Sequence, residues 1–205
     1  LKAHVFPRHN GKNANKFLPL NFRKKLILKS RQTHKLVQEA LSEIKKISPE
    51  YFTEVEALVS NITIVRSNRF IAGSSFTLLG LVALADHHDF NMTVEYLVHE
   101  AAHQYLYNLT VCDELCRGEG LHTSPLRKDP RPIEGIYHAV FVLARLIDFY
   151  NKALSQETVL PKEFMEKQIA HYRLRYKDAY NLLLEKAIFT DLGQELLESS
   201  NEMIL

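Results

Sequence analysis

The sequence predicts a mainly α-helical fold with a small β-sheet, an α+β arrangement in which one histidine-bearing helix packs against a second ligand-bearing helix. Three observations carry this. Long stretches, residues 22–47, 93–109, 132–154 and 162–197, place apolar residues at helical spacing with charges between them. Two short segments, residues 61–67 and 76–85, read instead as strands. His99 and His103 stand four apart in an apolar helical run, so both imidazoles leave the same face.

Residues 1–21 carry the turn signals Phe6-Pro7, Asn10-Gly11 and Leu18-Pro19 and are expected to be irregular. From Phe22 to Ile47, Leu26, Leu36, Val37, Leu41 and Ile44 recur on a helical period. Ser48-Pro49-Glu50 opens a second helix, with Ser48 as its cap and Pro49 in its first turn, running to about Ser60. Asn61 to Ser67 alternates and is rich in β-branched residues, which predicts a strand. Gly73-Ser74-Ser75 reads as a turn, and the apolar run Phe76 to Ala85 as a second strand. The polar turn Asp86-His87-His88-Asp89 precedes a helix over Thr93 to Leu109, capped by Asn91 or Thr93. A loop spans residues 117–129, and Pro130-Arg131-Pro132 opens a helix to about Leu154. Val159-Leu160-Pro161 interrupts the helical pattern before a last helical stretch, 162–197, with a further interruption near Asp191-Leu192-Gly193.

With 205 residues, 46% of them hydrophobic, the protein is long enough for one real core. It has no apolar run of membrane-spanning length and no visible secretory signal, and its two cysteines, Cys112 and Cys116, are too few for a disulfide framework. A cytoplasmic protein with no membrane partner is expected. Residues 1–38 hold ten Lys or Arg and no acid, leaving 16 basic residues against 24 acidic ones in the remainder. The sequence therefore divides into a basic N-terminal arm with the start of the first helix, 1–38, and a single metal-binding catalytic domain, 39–205. Such an arm suits docking on its own body or an acidic peptide, and no motif points to nucleic acid.

The chemistry concentrates in His99-Glu100-Ala101-Ala102-His103. One helical turn separates the two imidazoles by about 6 Å of rise, a spacing that lets both ligate one first-row metal ion. Glu100 stands next to the first of them, where a carboxylate reaches a metal-bound water or orients it. A third ligand is needed. The next helix offers Glu134 and His138, again four apart on one face. Glu134 would make the site a zinc peptidase with Glu100 as general base. A histidine and carboxylate set with open positions would suit non-haem iron.

From Leu97 the sequence reads LVHEAAHQ, then a loop, then SPLRKDPRPIEGIYHAVF. These blocks resemble the 2-oxoglutarate-dependent HExxH-type peptide β-hydroxylases of ribosomal peptide natural-product biosynthesis. That family shares an LVHExxH helix and, some 30 residues on, a segment like RxDPRPxxGxxH, here Arg127 to His138. Gly73-Ser74-Ser75 and the apolar segment after it also look like the family's strand before the motif. The likeness covers about residues 61–150. It implies Fe(II) held by His99, His103 and His138, with Glu100 beside the metal rather than acting as a peptidase base. It implies oxidation of an unactivated C–H bond in a side group of a peptide, consuming O2 and 2-oxoglutarate. That dicarboxylate needs a cationic clamp, for which a bidentate arginine is suited. Arg131 is the first candidate, Arg145 the second and Arg127 the third. Glu134 stands where family members often have a small residue.

Overall fold

The computed structural model describes residues 20–67, 69–124, 126 and 128–204, with side chains from Thr33 onward. Residues 1–19 of the basic arm and Arg127 lie outside the described residues.

Helix α1, Leu20–Ile47, buries Val37, Ala40, Ile44 and Ile47, one stripe at helical spacing. It stops where Pro49 follows, since proline supplies no N–H to continue the ladder. Ser48 then caps α2, Pro49–Leu58, its Oγ accepting from the Tyr51 N–H at 3.4 Å, as its sequence position predicts.

The small sheet follows. Strand β1, Asn61–Val65, pairs in parallel with β3, Leu81–Ala85, and β2, Ala72–Ser74, adds antiparallel to the other side of β3. Two expectations are corrected here. Residues 72–74 are strand rather than turn. The apolar run from Phe76 is a strand only from Leu81: Leu78 N–H bonds to the Ser75 carbonyl and Leu81 N–H to the Leu78 carbonyl, a pair of turns. Gly80 sets the boundary. Its φ of +80° favours glycine, and a Cβ there would stand 2.9 Å from Ser60 Oγ. The apolar residues before it do not enter the core, and Phe76, Leu78 and Leu79 are exposed.

Helix α3, Phe90–Cys112, starts earlier than the period of its apolar residues predicts. Asp89 caps it, accepting from Met92 N–H at 2.9 Å, in place of Asn91 or Thr93. Helix α4, Ile133–Leu154, is buried along most of its length, which is the reading for a helix that is apolar nearly all round. It packs on α1, on α3 and on α5, Lys162–Lys186.

The C-terminal stretch breaks where the sequence marks it. Strand β5, Ile188–Phe189, pairs antiparallel with β4, Cys116–Arg117, and α6, Asp191–Glu202, follows with Thr190 as cap. Cys112 ends α3 while Cys116 lies in β4, so the two do not share a helix, and both are free thiols. Among the described residues, one hydrophobic core joins residues of all six helices and the three-stranded sheet. Among the described residues, no helix is long and apolar enough to cross a membrane.

Candidate metal centre

Two adjacent faces of α3 do different work. Glu100 and Gln104, four apart, face the sheet. Ser74 Oγ on β2 donates to Glu100 Oε2 at 2.7 Å. Gln104 accepts from Gly80 N–H at 2.9 Å and donates to the Leu81 carbonyl at 3.1 Å, tying the start of β3 to the helix. A rotation of about 100° around the helix brings His99 and His103 to the neighbouring face, towards α4.

There His103 meets His138. Their Nδ1 atoms stand 3.3 Å apart and their rings stack at 22° with centroids 5.5 Å apart. His99 lies edge-on to His103 at 5.0 Å between centroids, and Tyr107 packs on both His103 and His138. In the neutral pair, one ring nitrogen donates to the lone pair of the other. Two nitrogens that each bind a metal at about 2.1 Å, at tetrahedral to right angles, also stand about 3.0–3.4 Å apart. The separation of this pair therefore matches that of two ligands on one metal ion, which would sit to one side of the line between the two nitrogens. Burial pushes His138 down to about 4, so its imidazole is neutral, the form that ligates. The donor set thus fits a metal at two of its three rings. Among the described residues, no group of three or more His, Cys, Asp and Glu side chains stands arranged to hold a metal ion. His99, the third ring of the cluster, is only partly buried.

Glu100 is 3% exposed, and its carboxylate accepts from Ser74 of β2. Glu134 lies one turn before His138 on α4, exposed, and lines the same cavity as His138. That cavity, about 380 Å³, is walled mainly by Phe76, Tyr107, Leu115 and Tyr137, with Glu114 and Glu134 at its sides. Cys116 also lines it, and burial together with the Glu134 and Glu114 carboxylates pushes its thiol up to about 12.

The three candidate arginines part company. Arg131 forms a two-bond bridge with His122, each N–H donating to the other's carbonyl at 2.8 Å. Its stem runs over Gly135, where an added Cβ would come within 3.4 Å of Arg131 Cβ and 3.8 Å of its Cδ. Gly135 is in the first turn of α4, three residues before His138, so the stem of Arg131 packs on the start of the histidine-bearing helix. Arg145, by contrast, is 6% exposed and ion-paired with Glu54 of α2. The rings of Tyr51, Tyr105 and Phe141 surround its guanidinium. The heptad spacing that aligns it with His138 ignores which way the arginine leans, and its charge is already countered inside the α2–α4 interface. Arg127 lies outside the described residues.

Three residues of this region are not singled out by sequence reasoning. Tyr107 continues the His99, His103 series by one more step of four, a signal that the sequence does contain. Ser74 and Gln104 act through contacts with the sheet, which no spacing reveals. A comparison with known proteins finds no matching family model and no matching curated protein.

Proposed function

We propose that this protein is an Fe(II)- and 2-oxoglutarate-dependent oxygenase that hydroxylates a C–H bond in a side group of a peptide, with its metal held by His99, His103 and His138. The observation that carries the reading is the 3.3 Å approach of His138 Nδ1 to His103 Nδ1 across two helices. It favours the histidine over Glu134 as third ligand. The buried, Ser74-bound carboxylate of Glu100 suits a residue that stiffens the ligand helix better than one that shuttles protons to a leaving group. The resemblance of the His99 and His138 blocks to the peptide β-hydroxylases supports the choice of iron and keto acid, since imidazole ligands alone also suit zinc.

Bound iron would supply dioxygen activation, with 2-oxoglutarate giving the electrons and leaving as succinate and CO2. The protein's own part is to hold and orient. His99 and His103, from one helix, and His138, from another, would hold the metal, and His138 also borders the cavity. Arg131, its backbone fixed by the bridge to His122, is the candidate to take a carboxylate of the keto acid in bidentate fashion. Phe76, Tyr107 and Tyr137 line the approach and limit water there.

The test supplies Fe(II), 2-oxoglutarate and candidate peptides in air and follows succinate and peptide mass. Succinate formation with a +16 Da product is expected, and His138→Ala, with its circular dichroism unchanged, should abolish both. Peptide cleavage that proceeds without oxygen and is restored by Zn(II) would replace this reading with the zinc peptidase.

A further inference from the structure

We propose that the cavity beside His138 receives a basic residue of the peptide substrate, lysine or arginine, with its stem between aromatic walls and its cation at Glu134. This deepens the reading above, on which the status of the bound group as substrate rests. The cavity holds about 380 Å³, in the range of a site for a single large residue or small ligand. Its walls suit a long apolar stem. Phe76 and Tyr107 meet edge to face at 6.1 Å and form one side, and Tyr137 forms another. The Tyr137 hydroxyl is spent on the Gly193 carbonyl at 2.7 Å, so the ring rather than the polar tip serves the cavity.

The charge of the lining has one sign. Among the described residues, Glu114 and Glu134 are its only formally charged groups, and no Lys or Arg lines the cavity. Glu114 is already countered by Arg117. Among the described residues, no ion pair involves Glu134, whose carboxylate stands one turn from His138. An acidic or neutral polar group would leave that carboxylate unanswered or opposed. A lysine or arginine answers it, and its cation also gains from the ring faces along the way. The basic arm at residues 1–38 would meet a different, acidic part of the same peptide.

Binding separates this proposal from the oxygenase reading, because it needs neither iron nor oxygen. N-acetyl-arginine amide, N-acetyl-lysine amide and N-acetyl-norleucine amide are titrated into the full-length protein at low salt and followed by NMR of the aromatic signals. Either basic amide should bind roughly three- to fivefold tighter than norleucine amide, the scale of one solvent-accessible charge pair. Glu134→Gln should erase that preference and Glu134→Asp should keep most of it. Equal affinity of all three amides, or a preference unchanged in Glu134→Gln, overturns the proposal. A charge preference without succinate formation supports the pocket while removing the oxygenase reading. Efficient hydroxylation confined to peptides lacking lysine and arginine does the reverse.

Discussion

At the scale of single residues, the arginines separate a role in the fold from a role in the site. Arg145 is buried against three rings and paired with Glu54, itself about one-third exposed. Arg145→Met keeps much of the stem packing and strands the Glu54 carboxylate. Breaking a fully buried pair costs roughly 3–5 kcal/mol, and the partial exposure of Glu54 lowers this to about 1–3 kcal/mol. The thermal midpoint of Arg145→Met should therefore fall while its apparent affinity for 2-oxoglutarate stays near that of the parent. Arg131→Met should do the opposite, with an almost unchanged midpoint and a large rise in KM for the keto acid. Calorimetry and succinate kinetics on the two variants check this, and a stability loss confined to Arg131→Met would sink the assignment. The histidine cluster was legible in part because a helical period of 3.6 makes residues four apart neighbours, which puts His99 and His103 on one face of α3 and His138 one turn beyond Glu134 on α4. Arg145 misled because spacing fixes a helix face but not the partner across the interface. Ser74 and Gln104 were illegible because their roles exist only once the sheet lies against α3.

At the scale of elements, the long helices and the strand from Asn61 were legible, while the two- and three-residue strands were not. Helices α1, α3 and α4 carry enough turns for periodicity to average out local exceptions. The segment before β3 shows the limit: an unbroken apolar run looks like strand throughout, yet Gly80 with its positive φ and two tight turns divide it. The two-residue strands β4 and β5 are too short for any period, and they form because Gly193 lets α6 approach the loop after α3. A Cβ at Gly193 would lie 1.7 Å from the Leu115 carbonyl oxygen, backbone against backbone with no flexible end to yield. Gly193→Ala must push α6 away from Leu115 and from Tyr137, whose hydroxyl bonds the Gly193 carbonyl. Overpacking of this kind costs about 2–3 kcal/mol. A matching drop in the urea midpoint is expected, with faster amide exchange at Leu115 to Arg117 and in the first turn of α6. Since Leu115 and Cys116 wall the cavity, basic-amide binding should weaken as well. A variant with parental stability and exchange would show that α6 does not brace this wall.

At the scale of the whole molecule, one buried carboxylate links the helix that bears His99 and His103 to the C-terminal half. Glu95 of α3 is 3% exposed, and its Oε2 accepts from the Tyr150 hydroxyl of α4 at 2.7 Å and from Gln168 Nε2 of α5 at 2.6 Å. Its Oε1 accepts from the Tyr172 hydroxyl of α5 at 2.6 Å, and Gln168 Nε2 also donates to that hydroxyl at 3.0 Å. Burial and the Glu95 charge both hold the Tyr150 and Tyr172 hydroxyls protonated, as donors must be. Glu95 lies one turn before His99 on α3, while Tyr150 lies three turns beyond His138 on α4. The hub therefore fixes the sliding of α3 against α4 on which the meeting of His103 and His138 depends. Tyr150→Phe and Tyr172→Phe should each cost roughly 1.5–3 kcal/mol, the range for hydrogen bonds to charged groups. The double variant should cost more than their sum by about 0.5 kcal/mol or more, because the last hydroxyl donor removed leaves a buried carboxylate with only an amide to answer it. Urea denaturation of the four proteins in a double-mutant cycle measures the excess, and metal titration of the same set reports the register. Simple additivity, within the ~0.3–0.5 kcal/mol seen for independent sites, would mean that the two tyrosines act separately. Undiminished metal affinity in the double variant would mean that the histidines find one another without the hub.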